Sequence, residues 1–88
     1  MHRIVHAVAR AFEMPIEAIR HGHGGLARMV TAWLGWWEGL ERLRSIAKSL
    51  RLASCGRVSD LVSDCERALF RNRDLQSIVD TAFAELRA

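Results

Sequence analysis

The chain has 88 residues, enough for one domain with a small core, and this length leaves little room for a nucleotide-binding α/β domain. Half of its residues are hydrophobic and 26% are charged, which excludes a disordered chain. The net charge of +3 is unevenly distributed, because residues 42–57 hold five cations and no acid: Arg42, Arg44, Lys48, Arg51 and Arg57. Such a stretch attracts polyanions, nucleic acid first and anionic membrane second, but it is also typical of a solvated helix face.

The N-terminal half of the sequence predicts three helices. The first carries an apolar stripe made up of Ile4, Val5, Val8, Ala9 and Phe12. Pro15 suits the first turn of a second, short helix. The glycine-rich residues 21–25 predict a loop, and residues 26–38 predict a third helix that ends at Gly39. The inward stripe of this third helix consists of Met29, Val30, Trp33, Leu34 and Trp37.

The C-terminal half predicts three further helices. The fourth begins at Leu40, and residues 51–56 form a turn with Ser54 as the N-cap of the fifth helix. The fifth helix has an inward stripe of Val58, Leu61, Val62, Cys65 and Leu69. Its outward residues are Asp60, Ser63, Asp64 and Arg67. Asn72 is the predicted N-cap of a last helix with the inward stripe Leu75, Ile78, Val79, Ala82, Phe83 and Leu86.

These patterns predict an all-α fold, a compact six-helix single domain over residues 1–88 in which the fourth and fifth helices form a helix-turn-helix. The order of residues resembles the C-terminal DNA-binding domain of the bacterial replication initiator DnaA, which has a Trp-repressor-like helix-turn-helix. IVHAVARAFEMPIEAI (residues 4–19) is similar to that family's first two helices, RMVTAWL (28–34) to its central helix, LRSIA (43–47) to its SLxxIG helix, and residues 74–86 to its last helix.

The family's signature turn, GGRDHxTV, aligns with RLASCGRV (residues 51–58), in which only Val58 matches. The resemblance implies duplex DNA binding in the regulation of replication initiation or transcription, in a bacterium or its phage. Because the basic stretch coincides with the helix-turn-helix, the predicted DNA contacts are Arg44, Lys48, Arg51, Ser54, Arg57, Ser63 and Arg67.

A protein-interaction domain that kept this fold and lost its DNA site is the alternative. It is favoured by the unmatched signature turn and by the carboxylates of Asp60 and Asp64, which oppose phosphate binding on the outward face. Trp33, Trp36 and Trp37 cannot all face one core, because Trp33 and Trp37 share a face and Trp36 lies roughly 100° from Trp37. A homodimer or a protein partner would bind through Trp36 and Trp37; the alternative is that Trp36 packs against another helix of the chain.

Other classes of site have little support in the sequence. His2 and His6 are spaced to share a metal but lack a third ligand, and His21 and His23 only flank a glycine, so we expect no metal and no cofactor. No nucleophile and base occur in a catalytic pattern, so we expect neither an enzyme nor a small-molecule substrate.

The cellular setting follows from the cysteines and the apolar segments. Cys55 and Cys65 on one helix would lie about 15 Å apart along its axis, too far for a disulfide, which favours a reduced, cytoplasmic and nucleoid-associated chain. The most apolar stretch, residues 26–37, is much shorter than the roughly 20 residues of a membrane span, so we expect no membrane association.

Overall fold

A computed structural model describes residues 1–22, 25–38 and 41–87. The helices within these ranges are α1 (His2–Ala11), α2 (Ile16–Arg20), α3 (Leu26–Trp37), α4 (Leu43–Ser49), α5 (Cys55–Arg71) and α6 (Arg73–Arg87). No strand occurs in the described ranges, so the predicted all-α fold of six helices is confirmed. The predicted helix end at Gly39 lies outside the described residues. The predicted start of the fourth helix at Leu40 is wrong, because Glu41 and Arg42 are not helical and α4 begins at Leu43.

The central helix is α3, which contacts α1, α2, α4 and α5. Because neighbours surround it, its apolar residues are buried on more than one face; the fully buried ones are Ala27, Val30, Ala32 and Leu34. Thr31 is buried among them, and its hydroxyl donates a hydrogen bond of 2.7 Å to the carbonyl of Ala27. This bond satisfies the polar group within its own helix.

Gly35 sets how closely α4 approaches α3. A Cβ atom at this position would lie 3.2 Å from Cγ1 of Ile46 and 3.0 Å from Sδ of Met1. Both separations are shorter than the roughly 3.5–4.0 Å of optimal carbon contact. The missing side chain therefore allows Ile46 to pack directly on the α3 backbone, and this contact positions α4.

The helices α1 and α4 are each followed, two residues after their last helical residue, by a non-glycine residue with left-handed backbone geometry, and φ is 55° at both Glu13 and Arg51. After α4, the N–H of Arg51 donates to the carbonyl of Lys48 at 3.2 Å, and the N–H of Leu52 donates to the carbonyl of Ala47 at 2.8 Å. These two bonds form a Schellman motif, which usually has glycine at the left-handed position. The chain therefore turns sharply at Arg51 before α5 begins.

α5 packs mainly on α3 and α4 and buries the side chains of Val58, Val62 and Cys65. The outward set is confirmed as exposed: Asp60, Ser63, Asp64 and Arg67. The helix begins at Cys55, so the predicted turn ends two residues earlier than residue 56. Ser54 precedes the helix in extended conformation as predicted, but its hydroxyl makes no capping hydrogen bond with the described part of the chain.

α6 packs mainly on α1, and also contacts α5. The predicted N-cap is confirmed, because Oδ1 of Asn72 accepts a hydrogen bond of 3.1 Å from the N–H of Leu75. Leu75, Val79 and Ala82 are buried, as their spacing predicts.

The inward position predicted for Trp37 is wrong. Its side chain is 55% exposed, more than the 40% of Trp36. Trp37 is the last residue of α3, and its side chain lies at an open groove between α3, α5 and α6. Helical spacing identifies the face of a residue, but burial also requires that the neighbouring helices close over it.

Candidate nucleic-acid interface

The cations of the basic stretch lie at the N-cap of α4, on α4 itself, on the connection of residues 50–54 and on the first turn of α5. We call this set the basic surface: Arg42, Arg44, Lys48, Arg51 and Arg57. All five side chains are exposed, and none forms an ion pair with another described residue. Arg44 and Lys48 are four residues apart on α4 and therefore share one face of it. The basic surface is thus free to bind an anion.

Arg28 is a partly buried arginine close to Arg57 of the basic surface. One guanidinium nitrogen donates to the carbonyl of Ile19 at 2.5 Å, and the other donates to the carbonyl of Leu50 at 2.8 Å. Burial, and then the nearby positive charge of Arg57, lower the pKa of the Arg28 guanidinium. Arg28 therefore joins α3 to the C-terminal ends of α2 and α4, and its role is structural although its charge matches that of its neighbours.

The start of α5 adds small residues and a favourable dipole to the basic surface. Ser54, Cys55 and Gly56 are exposed and place no large side chain over the first turn. The N–H groups of a helix's first turn lack intrahelical partners and carry partial positive charge. An anion beside Arg57 can therefore approach the backbone at the start of this helix.

Two of the predicted contacts lie further along α5. Ser63 lines a shallow pocket beside Trp36 and Leu43, and Arg67 forms an ion pair with Asp64 one turn away. Ser54 directly precedes the first turn of α5, which carries Arg57. The shared pocket places Ser63 beside the start of α4, whereas Arg67 lies about 15 Å along α5 from Arg57. Asp60 and Asp64 are exposed on the same helix, as predicted, and lie between Arg57 and Arg67.

The cysteines and histidines in the described part of the chain form no further site. Cys55 is an exposed free thiol, whereas burial, and then the charge of Glu66, raise the pKa of the buried Cys65 thiol to about 12. The rings of His2 and His6 lie 4.2 Å apart. His23, one of the weighed ligands, lies outside the described residues. No group of three or more potential metal ligands occurs in the described ranges.

A second surface, which the sequence did not predict, is an open groove between the C-terminal end of α5, the end of α3 and the start of α6. It has a volume of about 580 Å³ and is lined by three aromatic residues, Trp33, Trp37 and Phe70, with Glu66 and Asp80 beside them. We call it the aromatic groove. The tryptophan content of α3 and the position of Phe70 outside the α5 stripe were the only signals for it in the sequence.

Comparisons of the chain with protein-family models, curated proteins and solved structures gave no match. Within the described ranges, no helix is both long enough and apolar enough to cross a membrane.

Proposed function

We propose that this chain binds duplex DNA through the basic surface, with α4, residues 50–54 and α5 acting as a helix-turn-helix. One observation carries the proposal: five exposed cations lie on consecutive elements, and no acidic residue occurs between residues 42 and 59. Phosphates supply most of the affinity of such proteins for DNA. The biological role that fits is regulation of replication initiation or transcription, in a bacterium or its phage.

In this proposal α4 and α5 contact different parts of the DNA. In a helix-turn-helix the first helix crosses the DNA backbone and the second enters the major groove with its N-terminal residues. Arg44 and Lys48 on α4 would then bind phosphates. Arg57 and Ser54, at the start of α5, would contact a phosphate and a base edge.

The backbone at Arg51 supports the resemblance to the DnaA DNA-binding domain. Arg51 aligns with the first glycine of that family's signature turn, and its φ of 55° is a conformation that glycine adopts most easily. The backbone at this position therefore has the conformation that glycine adopts most easily, although the residue is an arginine.

Fluorescence anisotropy of a labelled mixed-sequence duplex, titrated with the protein at several salt concentrations, tests the proposal. With four to five phosphate contacts, the logarithm of the binding constant should fall against the logarithm of salt concentration with a slope of roughly −4. Absence of binding at micromolar protein in low salt would contradict it.

A protein-interaction domain is the second candidate function, and the aromatic groove favours it. The side chain of Phe70 is 90% exposed and that of Trp37 is 55% exposed, and clustered apolar exposure of this kind is typical of protein interfaces. The two functions are compatible, because the basic surface and the aromatic groove lie at opposite ends of α5.

A further inference from the structure

The aromatic groove has fixed walls. Nε1 of Trp37 donates a hydrogen bond of 3.1 Å to Oε1 of Glu66, which joins α3 to α5. The side-chain amide of Gln76 donates to the carbonyl of Leu69, which joins α6 to α5. These two bonds position Trp37 and Gln76 before a partner enters, which reduces the ordering that binding requires.

The rim of the groove carries both an apolar projection and opposite charges. Phe70 projects from α5, while Glu66 and Asp80 place carboxylates at the groove. Arg73 is exposed, forms no ion pair with another described residue, and lies on the same face of α6 as Gln76 and Asp80 by helical spacing. Each copy therefore carries an exposed aromatic ring and an arginine, which are the groups that the aromatic rings and carboxylates of its own groove would attract.

We propose that the aromatic groove binds the same groove of a second copy of this chain, forming a two-fold symmetric dimer. Arg73 and Asp80 lie about 5 Å to either side of a point near Gln76 along α6. A two-fold axis through that point pairs the α6 faces in antiparallel fashion and brings Arg73 of each copy to Asp80 of the other. Phe70 of each copy then enters the other copy's groove beside Trp37, as a self-complementary interface requires.

This dimer leaves the basic surface open. Phe70 lies about 20 Å along α5 from Arg57, so the interface and the proposed DNA contacts do not overlap. The dimer needs no DNA to form, and its test is therefore independent of the proposed function.

Sedimentation equilibrium over low to high micromolar protein, without DNA, provides the test. The unaltered chain should dimerise as its concentration rises. Phe70→Asp should weaken dimerisation by roughly 30-fold or more. Leu26→Asp is the matched control, because Leu26 is 48% exposed at the start of α3 and does not line the groove; dimerisation should be unchanged.

A charge exchange tests the pairing itself. Asp80→Arg and Arg73→Asp, each alone, place like charges opposite one another and should weaken self-association. An equimolar mixture of the two variants should dimerise again, because each mixed pair has opposite charges. Circular dichroism of each variant confirms that the helices remain.

Three results would overturn the proposal: an unaltered chain that stays monomeric at high micromolar concentration, a Phe70→Asp variant that dimerises as well as the unaltered chain, or a mixture of the charge variants that associates no better than either alone. In the first case the groove has another occupant, such as a different protein with an arginine beside an apolar side chain.

Discussion

At its N-terminal end α5 lies among exposed cations, whereas at its C-terminal end the same helix lies among aromatic rings and carboxylates. The first surface suits an anion that is bound through charge and remains hydrated. The second suits a partner that removes apolar area from water. About 20 Å separates them along the helix axis, which exceeds the Debye length of about 8 Å at physiological salt.

This separation allows one helix to serve two partners. The carboxylates of the aromatic groove lie too far away to weaken phosphate binding at the basic surface. Asp60 and Asp64 are the exception, because they lie between the two ends. Charge changes at the N-terminal end of α5 should therefore alter DNA affinity strongly, and those in the middle of α5 should alter it weakly. Charge changes elsewhere on the surface should leave DNA affinity unchanged.

The largest expected effect is on stability, and it distinguishes Arg28, which joins helices, from Arg57, which we propose contacts DNA. Arg28→Ala removes two hydrogen bonds from a charged donor to helix-end carbonyls and should lower the free energy of unfolding by about 3 kcal/mol. Arg57→Ala is its neighbouring control, exposed and without such bonds, and should change stability by about 0.5 kcal/mol or less. Urea denaturation measures both, and equal losses would show that Arg28 does not join the helices.

Loss of charge at the basic surface should come next in size. Lys48→Gln with Arg57→Gln removes two proposed phosphate contacts and should weaken DNA binding about 100-fold at low salt, with a salt slope shallower by about 1.8. Arg3→Gln with Arg87→Gln removes the same charge from α1 and α6. If anisotropy gave the same loss for both pairs, net charge rather than the basic surface would account for binding.

Arg51→Gly should move stability and DNA affinity in opposite directions. Glycine relieves the left-handed backbone and should stabilise the fold by up to about 1 kcal/mol, while loss of the cation should weaken DNA binding about 10-fold. Glu13→Gly relieves the same geometry after α1, and thermal melting should show a similar gain without weaker DNA binding. A destabilised Arg51→Gly would mean that its side chain supports the turn.

The smallest effect is expected in the middle of α5. Asp60→Asn with Asp64→Asn removes two exposed negative charges and frees Arg67 from its ion pair. DNA binding at low salt should tighten several-fold, since each carboxylate opposes it by a few tenths of a kcal/mol. Glu13→Gln with Asp74→Asn, two exposed acids away from α5 and from the proposed dimer pairs, serves as the matched control in the same titration. An unchanged affinity of the α5 variant would show that this helix does not enter a groove of the DNA.

The sequence predicted the helices well, because each buries a stripe against neighbours along most of its length. It predicted Trp37 wrongly because a stripe does not show whether the neighbouring helices close over a residue or leave an open groove beside it. The left-handed backbone at Arg51 carried no signal, since arginine rarely adopts it. The aromatic groove could not be predicted as a whole, because it forms only when α3 packs beside α5 and α6, which follow much later in the sequence.

The two cysteines differ in exposure, so thiol labelling of the unaltered chain can report whether the core is open or closed. Cys55 is exposed at the edge of the basic surface, whereas Cys65 is buried and its pKa is raised to about 12. The thiolate is the form that reacts with an alkylating reagent, so a maleimide dye should attach to Cys55 alone while the core stays closed. Once Cys55 is blocked, the rate at which Cys65 is labelled should report how often α5 opens from the core. Mass spectrometry under native conditions measures that rate.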